Sequence, residues 1–94
     1  MADGMRHFTH QNRGTCSMQV SFALDSEDRI HDVEFLSGCN GNLTGISALI
    51  EGMDASLVVE RCLGTPCGGR PTSCPDQLAQ AIQQALDGTL AAEA

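Results

Sequence analysis

The hydrophobic period changes once along this 94-residue chain, and that change limits the fold more than any other feature. From Cys16 to Asp25 the sequence reads CSMQVSFALD. Met18, Val20, Phe22 and Leu24 alternate with Gln19, Ser21 and Ala23, the period of a strand buried on one face. The polar stretch DSEDR follows. IHDVEFLS then sets Val33 and Phe35 between Asp32, Glu34 and Leu36. So short a connection makes the two strands an antiparallel hairpin. Met5–Thr9 adds a short third strand.

Beyond Gly38 the period becomes helical, with Leu43, Ile46, Leu49, Ile50 and Met53 on one face. Asp54 is placed to cap ASLVVERCL, and Gly64 to stop it. Pro75 stands in the first turn of a last helix. Its apolar face is Leu78, Ile82, Ala85 and Leu86, and it ends near Gly88. Strands followed by helices define an α+β fold: a small antiparallel sheet, hairpin plus third strand, with about three helices on one face. The length suits one domain over residues 1–94, with 1–13 either weakly ordered or a short edge strand.

Composition excludes several functions. A net charge of −7, with five scattered arginines and no lysine, opposes nucleic-acid binding, which needs a basic patch. No apolar run approaches the roughly 18 residues of a membrane span. The start MADGMRHFTHQNRG lacks the apolar segment of a secretory signal, so the expected location is the cytoplasm. Thiols stay reduced there, and five cysteines then point to metal or redox chemistry rather than to a disulfide framework.

Four of the five cysteines fall at element boundaries. Cys16 opens the first clear strand, Cys39 separates the second strand from the first helix, Cys67 lies in a glycine loop, and Cys74 is expected at the N-cap of the last helix. Turns and element ends are where backbone can bend around an ion. Cys39 and Cys74 would also face the positive end of a helix dipole, which favours thiolate. Gly68 and Gly69 permit a close backbone approach. Cys62, inside the second helix beside Leu63, reads as a small core hydrophobe. The gaps are long and irregular, 22 residues between Cys16 and Cys39 and six between Cys67 and Cys74. Spacing alone leaves a metal site, a thiol redox pair and plain buried cysteines all open.

The residues TSCPD (Thr72–Asp76) narrow the choice. With GTCS (Gly14–Ser17), GCNGNLTGIS (Gly38–Ser47), EGM (Glu51–Met53) and CGGRPTSCPDQLA (Cys67–Ala79), the chain resembles stand-alone TSCPD-domain proteins over roughly residues 14–87. Related domains occur at the C-terminus of adenosylcobalamin-dependent ribonucleotide reductases. The resemblance implies a four-cysteine set of Cys16, Cys39, Cys67 and Cys74, without Cys62. The order of elements is also distantly similar to the U-type iron–sulfur cluster scaffold proteins. Their three cysteines, at places corresponding to Cys16, Cys39 and Cys74, hold zinc or a [2Fe–2S] cluster. This chain has Met18 where the scaffolds carry Asp, and Ser73 where they carry His. Cys67 stands in for the missing ligand. An all-thiolate set suits a site that keeps its metal.

Other residues read more plainly. His7 and His10 are expected to be solvated, as is His31 on a polar strand face. Asp76 is expected to complement the helix dipole, and Arg70 either to offset thiolate charge or to be solvated. GCNGNLTG joins strand to helix but lacks a phosphate-loop pattern. No Ser/His/Asp arrangement or carboxylate pair supports a hydrolase. The expectation is a non-enzymatic protein binding Zn²⁺ or an iron–sulfur cluster through Cys16, Cys39, Cys67 and Cys74. It would act as an accessory or redox module beside another protein, a reductase or a cluster-handling protein. A metal-free thiol or electron donor to a reductase and a structural zinc module for protein interaction are the alternatives.

Overall fold

A computed structural model describes residues 5–14, 17–36, 40–66, 68–69 and 71–93. Three strands, β1 (Arg6–Gln11), β2 (Gln19–Leu24) and β3 (Ile30–Leu36), precede three helices, α1 (Asn40–Ile50), α2 (Ala55–Cys62) and α3 (Cys74–Asp87). The strands form an antiparallel meander in the order β1-β2-β3, so the α+β class and the hairpin stand. The N-terminal strand is real and longer than its apolar content suggested.

The β2–β3 turn is built by Asp25, whose carboxylate accepts the N–H groups of Glu27 (2.9 Å) and Arg29 (3.0 Å). This is the local role for which short acidic side chains are favoured in turns. Register in β2–β3 shifts between Ser21 and Ala23. Asp32, on the facing strand, has φ +56°, as expected of an irregularity that swivels the chain. The link from α1 to α2 runs along the free edge of β3. Ile30 donates to Met53 (2.8 Å), and Gly52 donates to Ile30 (2.7 Å).

Phe8, Val20, Phe22, Leu24, Ile30 and Val33 of the sheet pack on Ile50, Ala55, Val58, Leu78, Ala81 and Ile82 of the helices. Each large side chain so buried contributes about 1.5–3 kcal/mol. The helices therefore cover one face. The other face carries His7, Thr9, Gln19, Ser21 and Glu34 around a shallow depression.

Three apolar residues depart from the expected pattern. Met18 lies before β2 and is 61% exposed. Its N–H bonds Leu36 O (2.7 Å) in the loop rather than extending the inward row. Leu49 is 80% exposed. At about 100° per residue, Leu43, Ile46 and Ile50 share a stripe, and Leu49 falls about 60° beyond its edge at Ile46. Leu86 is also exposed, one turn beyond the buried Leu78 and Ile82. The helix stops fall as expected. Asp54 accepts from Ser56 N at 2.9 Å, and Gly88 caps α3 with φ +85°, the left-handed geometry glycine adopts without steric cost.

A candidate cysteine site at the start of the last helix

Of the four candidate ligands, Cys74 lies among the described residues, whereas Cys16, Cys39 and Cys67 lie outside them, as does Arg70. Cys74 is 6% exposed. It is the first residue of α3 rather than its N-cap. Ser73 takes the cap, and its Oγ accepts from Asp76 N at 3.2 Å. A hydroxyl oxygen is a far better acceptor for an unpaired helix N–H than sulfur is, which shifts the helix start by one residue.

The loop joining β1 to β2 leans onto this helix start. Asn12 N donates to Met18 O (2.9 Å) and closes the loop. Within it, Ser17 is 2% exposed, and its Oγ lies 2.9 Å from Cys74 Sγ. Asn12 Nδ2 donates to the same Ser17 oxygen at 2.8 Å. The backbone N–H of Arg13 donates to Gln77 Oε1 (3.1 Å), and Gln77 Nε2 donates to Thr72 Oγ1 (3.0 Å). Gly14 makes the approach possible. With φ +73°, a Cβ built on it would meet Thr72 Cγ2 at 3.0 Å, so both the backbone angle and the space demand glycine.

Asp76 fastens the other side. It is 4% exposed and accepts from Gly64 N (2.6 Å), Thr72 Oγ1 (2.5 Å) and Gln80 Nε2 (2.9 Å). Burial pushes its carboxyl pKa up, but the hydrogen bonds from Thr72, Gly64 and Gln80 outweigh that and hold it below the ordinary value of 3.8. Gly64 and Thr72 bracket the loop that contains Cys67, so this carboxylate ties both ends of that loop to α3. Dipole complementarity is part of the role of Asp76; loop closure is the part the sequence reading missed. Gln77, Ser17 and Asn12 were missed as well. Ser17 and Gln77 carry a signal as polar residues near cysteines in GTCS and TSCPDQ, whereas Asn12 stands outside both stretches.

Cys62 is half-buried at the end of α2 and packs against the core. Burial pushes its thiol pKa upward, which agrees with a small core hydrophobe. Among the described residues, no group of three or more His, Cys, Asp or Glu is arranged to hold a metal. None of their helices is long and apolar enough to cross a membrane.

The three histidines are not simply solvated. His7 and His10 are half-buried, and His10 Nδ1 lies 3.1 Å from Asn12 Oδ1. His31 sits between two carboxylates: Nε2 is 2.8 Å from Asp25 Oδ2, and Nδ1 is 2.6 Å from Glu51 Oε2. Glu51 Oε1 also accepts from Asp32 N at 2.9 Å. The pairing of Ile30 with Gly52 and Met53 brings Glu51 here, which gives the EGM motif a structural meaning. Both ring nitrogens face carboxylate acceptors, an arrangement that favours the imidazolium. The hydrogen bonds to Asp25 and Glu51 raise its pKa above 6.5 despite burial.

Conversely, the N–H of Arg29 and the His31 ring lower Asp25 to about 2. The N–H of Asp32, together with His31, lowers Glu51. The folded state thus holds the His31 proton more tightly than the unfolded chain does. This stabilisation is complete below pH 6.5 and is lost as pH rises through the folded value; the carboxylate share is lost in acid. Melting temperature at low salt should fall on the alkaline side of pH 6.5 in the wild type. His31→Phe should flatten that decline, and identical slopes would remove the cluster from the stability account.

Fold and site together define a small α+β domain whose buried polar network converges on a cysteine at a helix start. The model of the TSCPD domain matches residues 2–86. The chain therefore belongs to the TSCPD domain family. No curated protein and no solved structure matches it.

Proposed function

We propose that the protein is a metal-binding module in which the thiolates of Cys16, Cys39, Cys67 and Cys74 hold Zn²⁺ or an iron–sulfur cluster. The observation that carries this reading is the 2.9 Å approach of Ser17 Oγ to Cys74 Sγ, since Ser17 is the covalent neighbour of Cys16. Two further approaches support it. Met18 is bonded to Leu36 (2.7 Å), which leads into the segment carrying Cys39. Gly64 and Thr72, at the two ends of the loop with Cys67, are bound to Asp76 two residues after Cys74. Residues next to Cys16 and residues at both ends of the loop with Cys67 thus contact the start of α3, and the strand that leads toward Cys39 is bonded to the first of these segments.

The donor chemistry fits such a group. Four thiolates are a soft, all-sulfur set suited to Zn²⁺ or iron–sulfur ligation. Bound Zn²⁺ would contribute folding free energy, and a cluster would supply one-electron chemistry. Of the chain's own residues, Ser17 sets its hydroxyl against the Cys74 sulfur at the start of α3, and the fold excludes water from that sulfur. As an accessory or redox module, the protein would act beside another protein, a reductase or a cluster-handling protein. A surface with net charge −7 favours a partner with a basic docking face.

Anaerobic purification with metal, sulfide and visible-spectrum analysis tests the reading. One zinc per chain, or brown protein with iron and acid-labile sulfide, is the expected result. Replacing any of the four cysteines by Ala should abolish loading, whereas Cys62→Ala should not. Metal-free protein whose thiols oxidise reversibly would replace this reading with a thiol donor. Loss of loading in Cys62→Ala alone would show the ligand set to be wrong.

A further inference from the structure

Polar contacts continue beyond the Ser17–Cys74 pair. His10 Nδ1 lies 3.1 Å from Asn12 Oδ1, Asn12 Nδ2 lies 2.8 Å from Ser17 Oγ, and Ser17 Oγ lies 2.9 Å from Cys74 Sγ. The chemistry of these groups gives the chain of contacts a direction. An amide oxygen only accepts, so His10 carries its hydrogen on Nδ1. An amide nitrogen only donates, so the Ser17 oxygen is the acceptor from Asn12. A thiolate has no hydrogen to give, so the Ser17 hydroxyl donates to Cys74 whenever that sulfur is ionised or ligating. Each donor thereby polarises the next in a low-dielectric interior.

The fold holds every link. His10 lies on β1 opposite Val20. Asn12 is pinned by its N–H to Met18 O at 2.9 Å, and Ser17 and Cys74 are buried.

We propose that His10, Asn12 and Ser17 form a directional hydrogen-bond relay that delivers an O–H donor to the Cys74 sulfur, with Asn12 and Ser17 as positioning residues for the cysteine site. The contacts from His10 through Asn12 to Ser17 are a property of the metal-free fold, and the last donation, to sulfur, holds where Cys74 is ionised or ligating. Its effect on metal retention rests on the thiolate site proposed above, where a donated hydrogen bond spreads the excess negative charge of an all-sulfur set.

Two measurements test it separately. In metal-free ¹⁵N-labelled protein at about pH 9, where histidines are ordinarily neutral, long-range ¹H–¹⁵N correlation should show His10 as the Nδ1–H tautomer. Asn12→Ala should return it to the Nε2–H form that free imidazole prefers. The second measurement is Zn²⁺ retention against a chelator. Ser17→Ala should release Zn²⁺ about 10-fold more readily, within the range typical of outer-shell partners of metal ligands. Asn12→Asp separates relay from mere packing. Its carboxylate still accepts from His10, so the Nδ1–H tautomer persists. It offers Ser17 no donor and draws the hydroxyl away from sulfur, so Zn²⁺ retention should drop as in Ser17→Ala.

An Nε2–H tautomer in the wild type overturns the relay whatever the metal result. The expected tautomer with unchanged Zn²⁺ retention in both variants overturns the positioning role while leaving the four-cysteine site intact. Wild-type protein that takes up neither Zn²⁺ nor an iron–sulfur cluster overturns the positioning role together with the function proposed above, and the tautomer alone then decides the relay.

Discussion

Asp76→Ala should destabilise the protein by about 2–3 kcal/mol, a sizeable share of the roughly 5–14 kcal/mol available to a domain of this size. The wild-type carboxylate gathers three donors, from Gly64 (2.6 Å), Thr72 (2.5 Å) and Gln80 (2.9 Å). Alanine leaves all three facing a small apolar gap. These donors are only partly buried, so each lost partner costs toward the lower end of about 1–3 kcal/mol, and hydration recovers part of the sum. Asp76→Asn keeps the shape but turns an NH₂ group toward a donor, so its cost should lie between wild type and alanine.

Acid should act in the same direction. The Asp76 pKa is held below 3.8, so its contribution is complete above that value and is lost as pH falls through the folded one. Urea unfolding of the two variants at pH 7 and pH 3 checks both statements. If alanine and asparagine are equally mild, Asp76 is only a surface complement to the helix dipole, worth about 0.3–1 kcal/mol.

The role of Asp76 also shows where sequence reading stops. Periodicity gave Val20, Phe22 and Leu24 their inward face because backbone geometry alone sets period 2. It placed Leu43 and Ile50 because helical twist alone sets period 3.6. Leu49 was misassigned because a stripe drawn through five apolar residues was broader than the groove it fills. Cys74 was set one position early because Ser and Cys both look like caps until acceptor strength is weighed. The partners of Asp76 stand 12 and four residues away on one side and four on the other, and no local period encodes the longest of those. His31 was read as solvated for the same reason, since Glu51 lies 20 residues further along and arrives only through the pairing of Gly52 with Ile30. Long-range polar contacts depend on the assembled fold. The four cysteines form a readable set because element boundaries are local features, and only Cys74 of that set lies among the described residues.

Phe22→Ala should cost about 3–5 kcal/mol, more than Asp76→Ala and by a different mechanism. The chain has no Trp, no Tyr and three Phe, so the core has few large side chains to redistribute. Phe22 stands on the central strand, directly opposite Phe8 in the register. The two rings stack with centroids 5.3 Å apart and planes 20° apart. Such a pair is worth about 0.5–1.5 kcal/mol beyond the area it buries. Deleting the ring removes that pairing, the transfer free energy of the side chain, and the contacts of every helix residue resting on it. Close-packed neighbours relax only partly into the space.

Phe22→Leu keeps most of the volume and loses the stack, so it should cost under about 1.5–2 kcal/mol. Leu49→Ala, on the exposed side of α1, should fall within about 0.5 kcal/mol of wild type. The ordering Phe22→Ala, then Phe22→Leu, then Leu49→Ala is the decisive quantity in urea unfolding, because it does not depend on absolute stability. A Leu49→Ala cost equal to that of Phe22→Ala would mean that α1 meets the sheet through a different face.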